Sequence, residues 1–586
     1  MVAFSNLLFA STSVSVVFLS VGRLTASAAS HALSSAILGV DSHGIPMLCA
    51  TDTTSPAPMA ASALPTETMT WESVPGVILN NGTDAFRLEI TVNRPVRTVE
   101  LQVWTPLIAD SGQGVVALHD DGQNGDRTAG DWVFTSELLR FDTRQQWQHP
   151  ANYQHDTNSP AHVSMQWVGS LSIQDTNGGA LGFAVSPQVG ILSSDVPLTP
   201  RQLLASNVAV AGHLINVQTS ERLTQQYIRL ISSGLYGVTA TIYSVFPDAF
   251  DFLMFFSSDH VEYVPYTATP NFNAGIHHTV KVNYTGTGQT AHNESGLWGN
   301  PGRLLGINIV DSYERGMMGY NATHEILHQW SSYTATTLSD GSHYVPRSSV
   351  ASLLGGYLWQ SNGNGGYTII CEEGREGATH AAALDKYMMG LIPGSAVPEQ
   401  RVYLSSAPTP YGLCNQPVPS IESTVSIATI QSKHGVRSPG PATVSRDFSI
   451  GFVVESHRRL LNPVEMTFYE IFAAHYTKPV PAGHADPYVG GNWPPIERYF
   501  GENTRWRSDV LTLIQPVITS FVKLPDGRMS LTGTAYPGKR YSLLSSTNLI
   551  HWSSLTNTTA TTAGTFNMTI VRSNAVDSTF YRLALP

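Results

Sequence analysis

The sequence is short of charge, of cysteine and of long apolar segments. Charged side chains make up 13% of its 586 residues, against roughly 25% in an ordinary soluble domain. The net charge of −11 provides no basic face and argues against a nucleic-acid-binding protein. Beyond the N-terminus no apolar run reaches the roughly 18 residues of a membrane-spanning helix, which excludes a polytopic membrane protein. A long sequence with so little charge is typical of an extracellular, β-rich protein of several domains.

The N-terminal segment predicts export. An apolar stretch over residues 7–22 precedes Arg23, and the small residues Ala26-Ser27-Ala28 follow it as a cleavage site would. No lysine or arginine precedes the stretch, and an uncleaved anchor helix is the alternative. Three cysteines are too few for a disulfide scaffold. In an exported protein Cys371 and Cys414 are a candidate pair, with Cys49 left over.

Local patterns divide the remainder into β-rich ends and a mixed middle. Short period-2 segments such as residues 86–92 and 96–104 indicate a β-sandwich. Residues 199–207 and 220–235 have apolar side chains at helical spacing, and helix-like and strand-like pieces then alternate. The prediction is a multi-domain chain with an α+β domain between two β-sandwich modules. Its parts are a signal peptide (1–28), a low-complexity linker (29–69), an N-terminal β-sandwich module (70–195), the α+β domain (196–512) and a C-terminal β-sandwich module (513–586).

One motif in the middle domain carries recognisable chemistry. His324-Glu325-Ile326-Leu327-His328 has the form H-E-x-x-H. On a helix, two histidines four residues apart face the same way and can bind one zinc ion. Glu325 would then act as the general base that takes a proton from the attacking water. The alternative is a helix with two incidental histidines.

A catalytic zinc site of this kind needs a third protein ligand. The favoured candidate is His343, which lies 15 residues after His328 in a glycine-containing loop. Asp385, 57 residues after His328 on a predicted helix, is the second candidate. If Asp385 is not a ligand, it is expected to support a ligand histidine. Glu372 and Glu373 are weaker candidates.

Each of the other polar residues considered near the motif has two alternative roles. Tyr344 and Tyr387 are candidates to donate a hydrogen bond to the tetrahedral oxyanion, or they pack as aromatic core residues. His277 and His278 either line the cleft or have a structural role, and the structural role is favoured.

An acidic loop in the N-terminal module is a candidate calcium site. Counted from Asp120, the segment has Asn124, Asp126 and Asp131 at positions 5, 7 and 12 of a loop resembling a calcium-binding one, with Gly125 at the bend. Gly122 at position 3 breaks that pattern. The alternative is a turn whose carboxylates accept backbone N–H groups. The loop also resembles a D-D-G-x-x-G-D-x-x-A-G-D signature of β-sandwich modules in bacterial surface proteins.

Several pieces of the middle of the chain occur in a characteristic order. They are residues 246–256, His324 to Trp330, His343-Tyr344, Gly355 to Trp359, Leu384 to Leu391 and Val397-Pro398. In this order they resemble bacterial secreted zinc-metalloprotease-like proteins. The resemblance covers roughly residues 235–400 and implies a zincin-like α+β fold, bound zinc and a protein or peptide substrate. Tyr344 stands where Trp is usual in these proteins, and Lys386 where an apolar residue is usual.

The C-terminal module has a resemblance of its own. Residues 537–555 and 578–586 resemble the terminal β-modules of bacterial exported proteins, which implies association with the cell surface. Together these features predict a secreted or cell-surface zinc endopeptidase. The alternatives are an adhesion or binding protein with an inactive peptidase-derived domain, and a zinc hydrolase that acts on a non-peptide bond.

Overall fold

The fold comes from a computed structural model of the full chain, which describes most of it outside the N-terminus. The segments described are 35–40, 46–50, 69–92, 94–145, 162–181, 188–219, 233–258, 260–262, 275–300, 302–310, 320–370, 381–404, 406, 413–479, 495–501, 503–508, 510, 516–535, 538, 540–547, 551–561, 564–571 and 580–584. The predicted signal peptide lies outside them.

The chain is β-rich and multi-domain, with its strands in many small sheets. Helices account for 15% of the residues, about half the share usual in globular proteins. This confirms the β-rich, multi-domain character predicted from composition. Among the described residues no helix is both long and apolar enough to cross a membrane.

The N-terminal strands form small sheets around one apolar core. Along β6, buried and exposed residues alternate over part of the strand, as in a strand with one face covered, whereas β5 is buried or half-buried throughout. Within the predicted linker, β1 and β2 pair with each other. The strands are β1 (Ser35–Val40), β2 (Pro46–Ala50), β3 (Met69–Val74), β4 (Val77–Leu79), β5 (Ala85–Val92), β6 (Val96–Val103), β7 (Leu107–Ala109), β8 (Val115–Leu118), β9 (Val133–Thr135), β10 (Leu139–Phe141), β11 (Val163–Trp167), β12 (Gly169–Asp175), β13 (Ala180–Leu181) and β14 (Gln188–Leu192).

The middle of the chain contains a mixed eight-stranded sheet with apolar cores on both faces. Its order is β15-β16-β17-β28-β18-β23-β20, with β29 paired to β28. Strands β17, β28, β18 and β23 run parallel, whereas β20 is antiparallel to β23. The strands of this region are β15 (Gln202–Ala205), β16 (Val208–Ala211), β17 (Leu214–Thr219), β18 (Phe252–Ser257), β19 (His260–Glu262), β20 (Gly275–Thr279), β21 (Lys281–Val282), β22 (His292–Asn293), β23 (Gly306–Val310), β24 (Leu358–Ser361), β25 (Tyr367–Ile370), β26 (Gln400–Tyr403), β27 (Ile421–Val425), β28 (Asp447–His457) and β29 (Arg505–Arg507).

Helices pack against this sheet. The predicted helix at 199–207 is wrong, because residues 202–205 form β15, which pairs with β16 as a hairpin. The segment 220–232 lies outside the described residues, and a helix begins at Ser233. The helices are α1 (Ser233–Val245), α2 (Tyr320–Leu327), α3 (Ala383–Met389), α4 (Ile427–His434), α5 (Pro463–Tyr476) and α6 (Ile496–Phe500).

The C-terminal strands form two three-stranded sheets over a small core of their own. Leu531, Tyr541 and Leu543 are fully buried there. The strands are β30 (Val517–Lys523), β31 (Met529–Thr534), β32 (Arg540–Ser546), β33 (Ser553–Thr559), β34 (Thr565–Ile570) and β35 (Phe580–Ala584).

Strand pairing and ion pairs join the N-terminal sheets to the middle of the chain. Strand β19 pairs with β3 although the two lie far apart in sequence. Arg458 forms ion pairs with Glu89 at 2.8 Å and Glu72 at 3.7 Å, and both carboxylates are buried. Arg127 of the acidic loop reaches the other oxygen of Glu89 at 2.8 Å. Because buried carboxylates need such partners, these contacts fix the module against the sheet that carries the site.

Candidate metal centre

The H-E-x-x-H motif lies at the end of helix α2. Ile326 and Leu327 are fully buried and anchor the helix in the core. The helix ends at Leu327, and the His328 N–H reaches the Glu325 carbonyl at 3.2 Å, so the last turn is tightened. Trp330 then packs edge-on against Phe252, with ring centroids 5.7 Å apart. The motif is therefore held at both ends by apolar packing.

Three histidine side chains converge on one point beside this helix. The Nε2 atom of His324 lies 3.1 Å from that of His343 and 3.3 Å from that of His328. The three rings are also neighbours, with centroid separations of 4.8 to 5.2 Å. Among the described residues these histidines form a group able to hold one metal ion. The structure thus brings the favoured third ligand to the motif.

The arrangement fits a zinc ion. Tetrahedral ligands with Zn–N bonds of about 2.0–2.1 Å have nitrogens about 3.3 Å apart, close to the separations seen here. A ligand imidazole must be neutral. Burial lowers the pKa of His328 well below its usual value, and the neighbouring His324 and His343 act in the same direction. Burial also lowers the pKa of His343, with Asp340 acting in the opposite direction.

The far nitrogens of two of these rings are fixed by hydrogen bonds. His324 donates from Nδ1 to the Leu353 carbonyl at 2.8 Å. His343 Nδ1 lies 3.1 Å from the Ser342 hydroxyl. Such contacts set the tautomer and orient Nε2 toward a metal.

The loop that carries His343 is a tight turn built around Asp340. One carboxylate oxygen of Asp340 accepts hydrogen bonds from the His343 and Ser342 backbone N–H groups at 2.8 and 2.9 Å. The Ser332 hydroxyl donates to the Ser342 carbonyl and ties the turn to the segment after the motif helix. The turn itself is thus what folds the loop back onto the helix.

Glu325 lies between the motif helix and strand β20. Strand β20 is an edge strand of the described part of the sheet. It is only 5% exposed. A Cβ built on Gly275 would lie 2.6 Å from Glu325 Oε1 and 2.7 Å from its Cγ. The carboxyl group therefore occupies the space that a side chain at position 275 would fill.

Strand β20 contacts the motif segment at a second position as well. Two residues beyond Gly275, His277 Nε2 lies 3.1 Å from Gln329 Oε1. Gln329 is fully buried and also donates to the Lys281 carbonyl at 2.9 Å. Gly275 and Gln329 were missed at the sequence level. The one sequence signal was the position of Gln329 directly after the motif, and no local pattern marks Gly275.

His277 and His278 have structural partners, in agreement with the favoured reading. His277 Nδ1 lies 2.8 Å from Asn308 Oδ1, and burial lowers the pKa of His277 to about 4. His278 pairs with Glu294 at 3.1 Å, and its ring contacts Trp298 in a tilted arrangement with centroids 5.1 Å apart. Both histidines therefore hold β20 in place.

The other residues predicted for the site lie elsewhere. Asp385 is not part of the histidine group and is fully buried on α3. The Tyr344 hydroxyl is buried on the Asp385 side, and Tyr387 accepts hydrogen bonds from Gln431 and the Arg437 N–H at 3.1 Å each. The proposed oxyanion role of both tyrosines is therefore wrong, and their aromatic packing role holds. Glu372 and Glu373 lie outside the described residues.

The acidic loop gathers three of its four predicted ligands. Carboxylate oxygens of Asp120, Asp126 and Asp131 lie within 4.8 Å of one another. Asp120 also accepts from the Gly130, Asp131 and Trp132 N–H groups, and Asp126 from that of Gly122. Asn124 has a left-handed backbone, with φ 52°. The carboxylates thus act as caps of the turn, and calcium binding stays a prediction.

The chain has no match among known proteins in three comparisons. No family model, no curated protein and no solved structure matches it. Any function therefore has to be argued from the geometry of the three histidines and Glu325.

Proposed function

We propose that the protein is a secreted zinc-dependent endopeptidase. The observation that carries the proposal is the convergence of the Nε2 atoms of His324, His328 and His343 at 3.1 and 3.3 Å, with Glu325 directly after the first ligand. Three histidines leave one position of a tetrahedral zinc free, which is the arrangement of catalytic rather than structural zinc sites.

Each residue has a defined task in peptide hydrolysis. When bound, zinc polarises the scissile carbonyl and makes water acidic enough to attack at neutral pH. His324, His328 and His343 hold it with neutral imidazoles. Glu325 accepts the proton of the attacking water and passes it to the leaving amine. Gly275 leaves the room in which the Glu325 carboxyl group sits.

An extended peptide is the substrate shape that suits this site. Strand β20 ends the described part of the sheet and runs directly beside Glu325. A strand at a sheet edge can pair with an extended peptide through backbone hydrogen bonds. His277 and His278 anchor β20 from its two faces, through Gln329 and Glu294. These features favour a peptide bond over other substrates.

Export has support from a disulfide. Cys414 is disulfide-bonded, and its candidate partner Cys371 lies outside the described residues. Disulfides persist in oxidising compartments outside the cytosol. The C-terminal module, which has its own core, is the part proposed to associate with the cell surface.

Substituting Gly275 by alanine should lower hydrolysis and leave zinc binding unchanged. The new Cβ would lie under 3 Å from three atoms of Glu325, so the carboxyl group must move. A displacement of about 1 Å at a reacting group costs roughly 100-fold in rate. Peptidase assays and zinc content measure the two effects. Gly296→Ala is the matched control, because a Cβ there meets nothing within 4 Å. Full activity in Gly275→Ala would show that Glu325 is not positioned by β20.

The direct test of the proposal is metal-dependent proteolysis by the purified chain. We expect cleavage of an unfolded protein substrate, its loss after treatment with a zinc chelator, and its return on adding about one equivalent of zinc. A zinc-loaded protein that cleaves neither unfolded proteins nor peptide libraries would refute the peptidase assignment.

A further inference from the structure

A fully buried aspartate lies behind the metal centre. Asp385 on α3 has no exposed surface, and it sits in the large apolar core that also contains Leu384 and Met388. Within the described part of the chain, neither of its carboxylate oxygens has a hydrogen bond of ordinary length and angle. The same holds for the buried hydroxyls of Ser331 and Tyr344. Native proteins rarely keep such a group without a reason.

The hydroxyls around Asp385 all belong to segments that bear or orient the candidate metal ligands. Those that act on its carboxyl group are from Ser352, Ser331 and Tyr344. Tyr344 directly follows His343. Ser352 directly precedes Leu353, whose carbonyl orients His324. Ser331 lies three residues after His328. One carboxyl group is therefore adjacent to both segments that bear the histidines and to the segment that orients His324, all of which are far from it in sequence.

We infer that Asp385 is a positioning residue of the metal centre, which holds the motif segment, the His343 loop and the segment that orients His324 together through Ser331, Tyr344 and Ser352. The inference rests on the proposed zinc site. Asp385 touches neither the metal nor the substrate in this role. It acts on the ligands, as hydrogen-bonding groups behind metal ligands commonly do.

Because Asp385 is buried, an ionised carboxylate at this position implies a positively charged partner. Burial raises the pKa of Asp385 to about 6, while the surrounding hydroxyls act in the opposite direction. The fold alone thus stabilises the charged form poorly. If this residue served only to stabilise the fold, a neutral side chain would cost less free energy to bury. A dication held by His324, His328 and His343 would favour the ionised carboxylate and offset this cost.

The test compares zinc affinity with the stability of the metal-free chain. We expect Asp385→Asn to weaken zinc binding roughly 10- to 100-fold, measured by competition with a chelating dye, and not to lower the unfolding midpoint of the metal-free protein. Cobalt substituted for zinc should show an altered absorption spectrum in the variant. Glu465→Gln is the control, since Glu465 is another buried carboxylate but belongs to the capping box of α5 and pairs with Arg459. It should lower stability and leave zinc affinity unchanged.

The outcomes separate this inference from the proposed function. Wild-type protein that binds no zinc would overturn both. Tight zinc binding by the wild type with unchanged affinity in Asp385→Asn would overturn only the role of Asp385. If Asp385→Asn does not fold, Tyr344→Phe replaces it, because that variant keeps the ring and removes the hydroxyl. Unchanged zinc affinity in Tyr344→Phe would then overturn the inference.

Discussion

Glu325→Gln is expected to abolish hydrolysis while zinc stays near one ion per chain. Glutamine keeps the size and hydrogen-bonding oxygen of the side chain but cannot accept the proton of the attacking water. General base catalysis typically contributes about 100- to 10,000-fold, so activity should fall by at least that range. Glu325 is not among the converging ligands, and therefore the metal should remain. Peptidase rates and metal analysis on the same preparation measure both parts.

A matched substitution makes this result specific. Glu294→Gln also neutralises a partly buried carboxylate next to β20, but Glu294 pairs with His278 and not with the histidine group. It should retain most of the activity. Full activity in Glu325→Gln would contradict the mechanism. Absence of activity in the wild type, with zinc bound, would instead favour the binding-protein alternative.

His343→Ala is expected to produce the second large effect, a loss of zinc. The variant removes one of three converging nitrogens. Its turn should survive, because Asp340 accepts from the backbone and not from the imidazole. Losing a ligand should weaken affinity more than losing a supporting group does, hence by at least about 100-fold. Chelator competition measures the affinity.

This variant also separates the two candidate third ligands. Unchanged zinc affinity in His343→Ala would contradict the centre described here and return Asp385 or another group to consideration. His162→Ala serves as the control, since His162 lies in the N-terminal module and faces Asp195 at 3.7 Å. It should bind zinc as the wild type does.

The motif was predictable because its information is local. The spacing of His324 and His328 places both rings on one side of a helix whatever surrounds it, and Ile326 and Leu327 supply the buried face. The choice of His343 as third ligand depended on a glycine-containing loop that could fold back, and Asp340 accepts the backbone hydrogen bonds that form its turn. Period-2 segments such as β5 and β6 were found for the same local reason.

The errors and omissions come from strand pairing and packing that the spacing of residues within one segment does not show. Residues 199–207 have helical spacing, but pairing of β15 with β16 overrides that preference. The need for a glycine at position 275 depends on how closely β20 approaches Glu325, some 50 residues later. Asp385 was expected to be a ligand or to support one, yet its neighbours Ser331, Ser352 and Tyr344 come together only in the folded chain.

X-ray absorption at the zinc edge of the purified full chain tests the central claim most directly. We expect one zinc per chain with three imidazole nitrogens at about 2.0–2.1 Å and one further light ligand. The His343→Ala variant should show fewer imidazole nitrogens or no zinc. A wild-type protein without stoichiometric zinc, or with only two imidazoles around it, would contradict a zinc centre formed by three histidines.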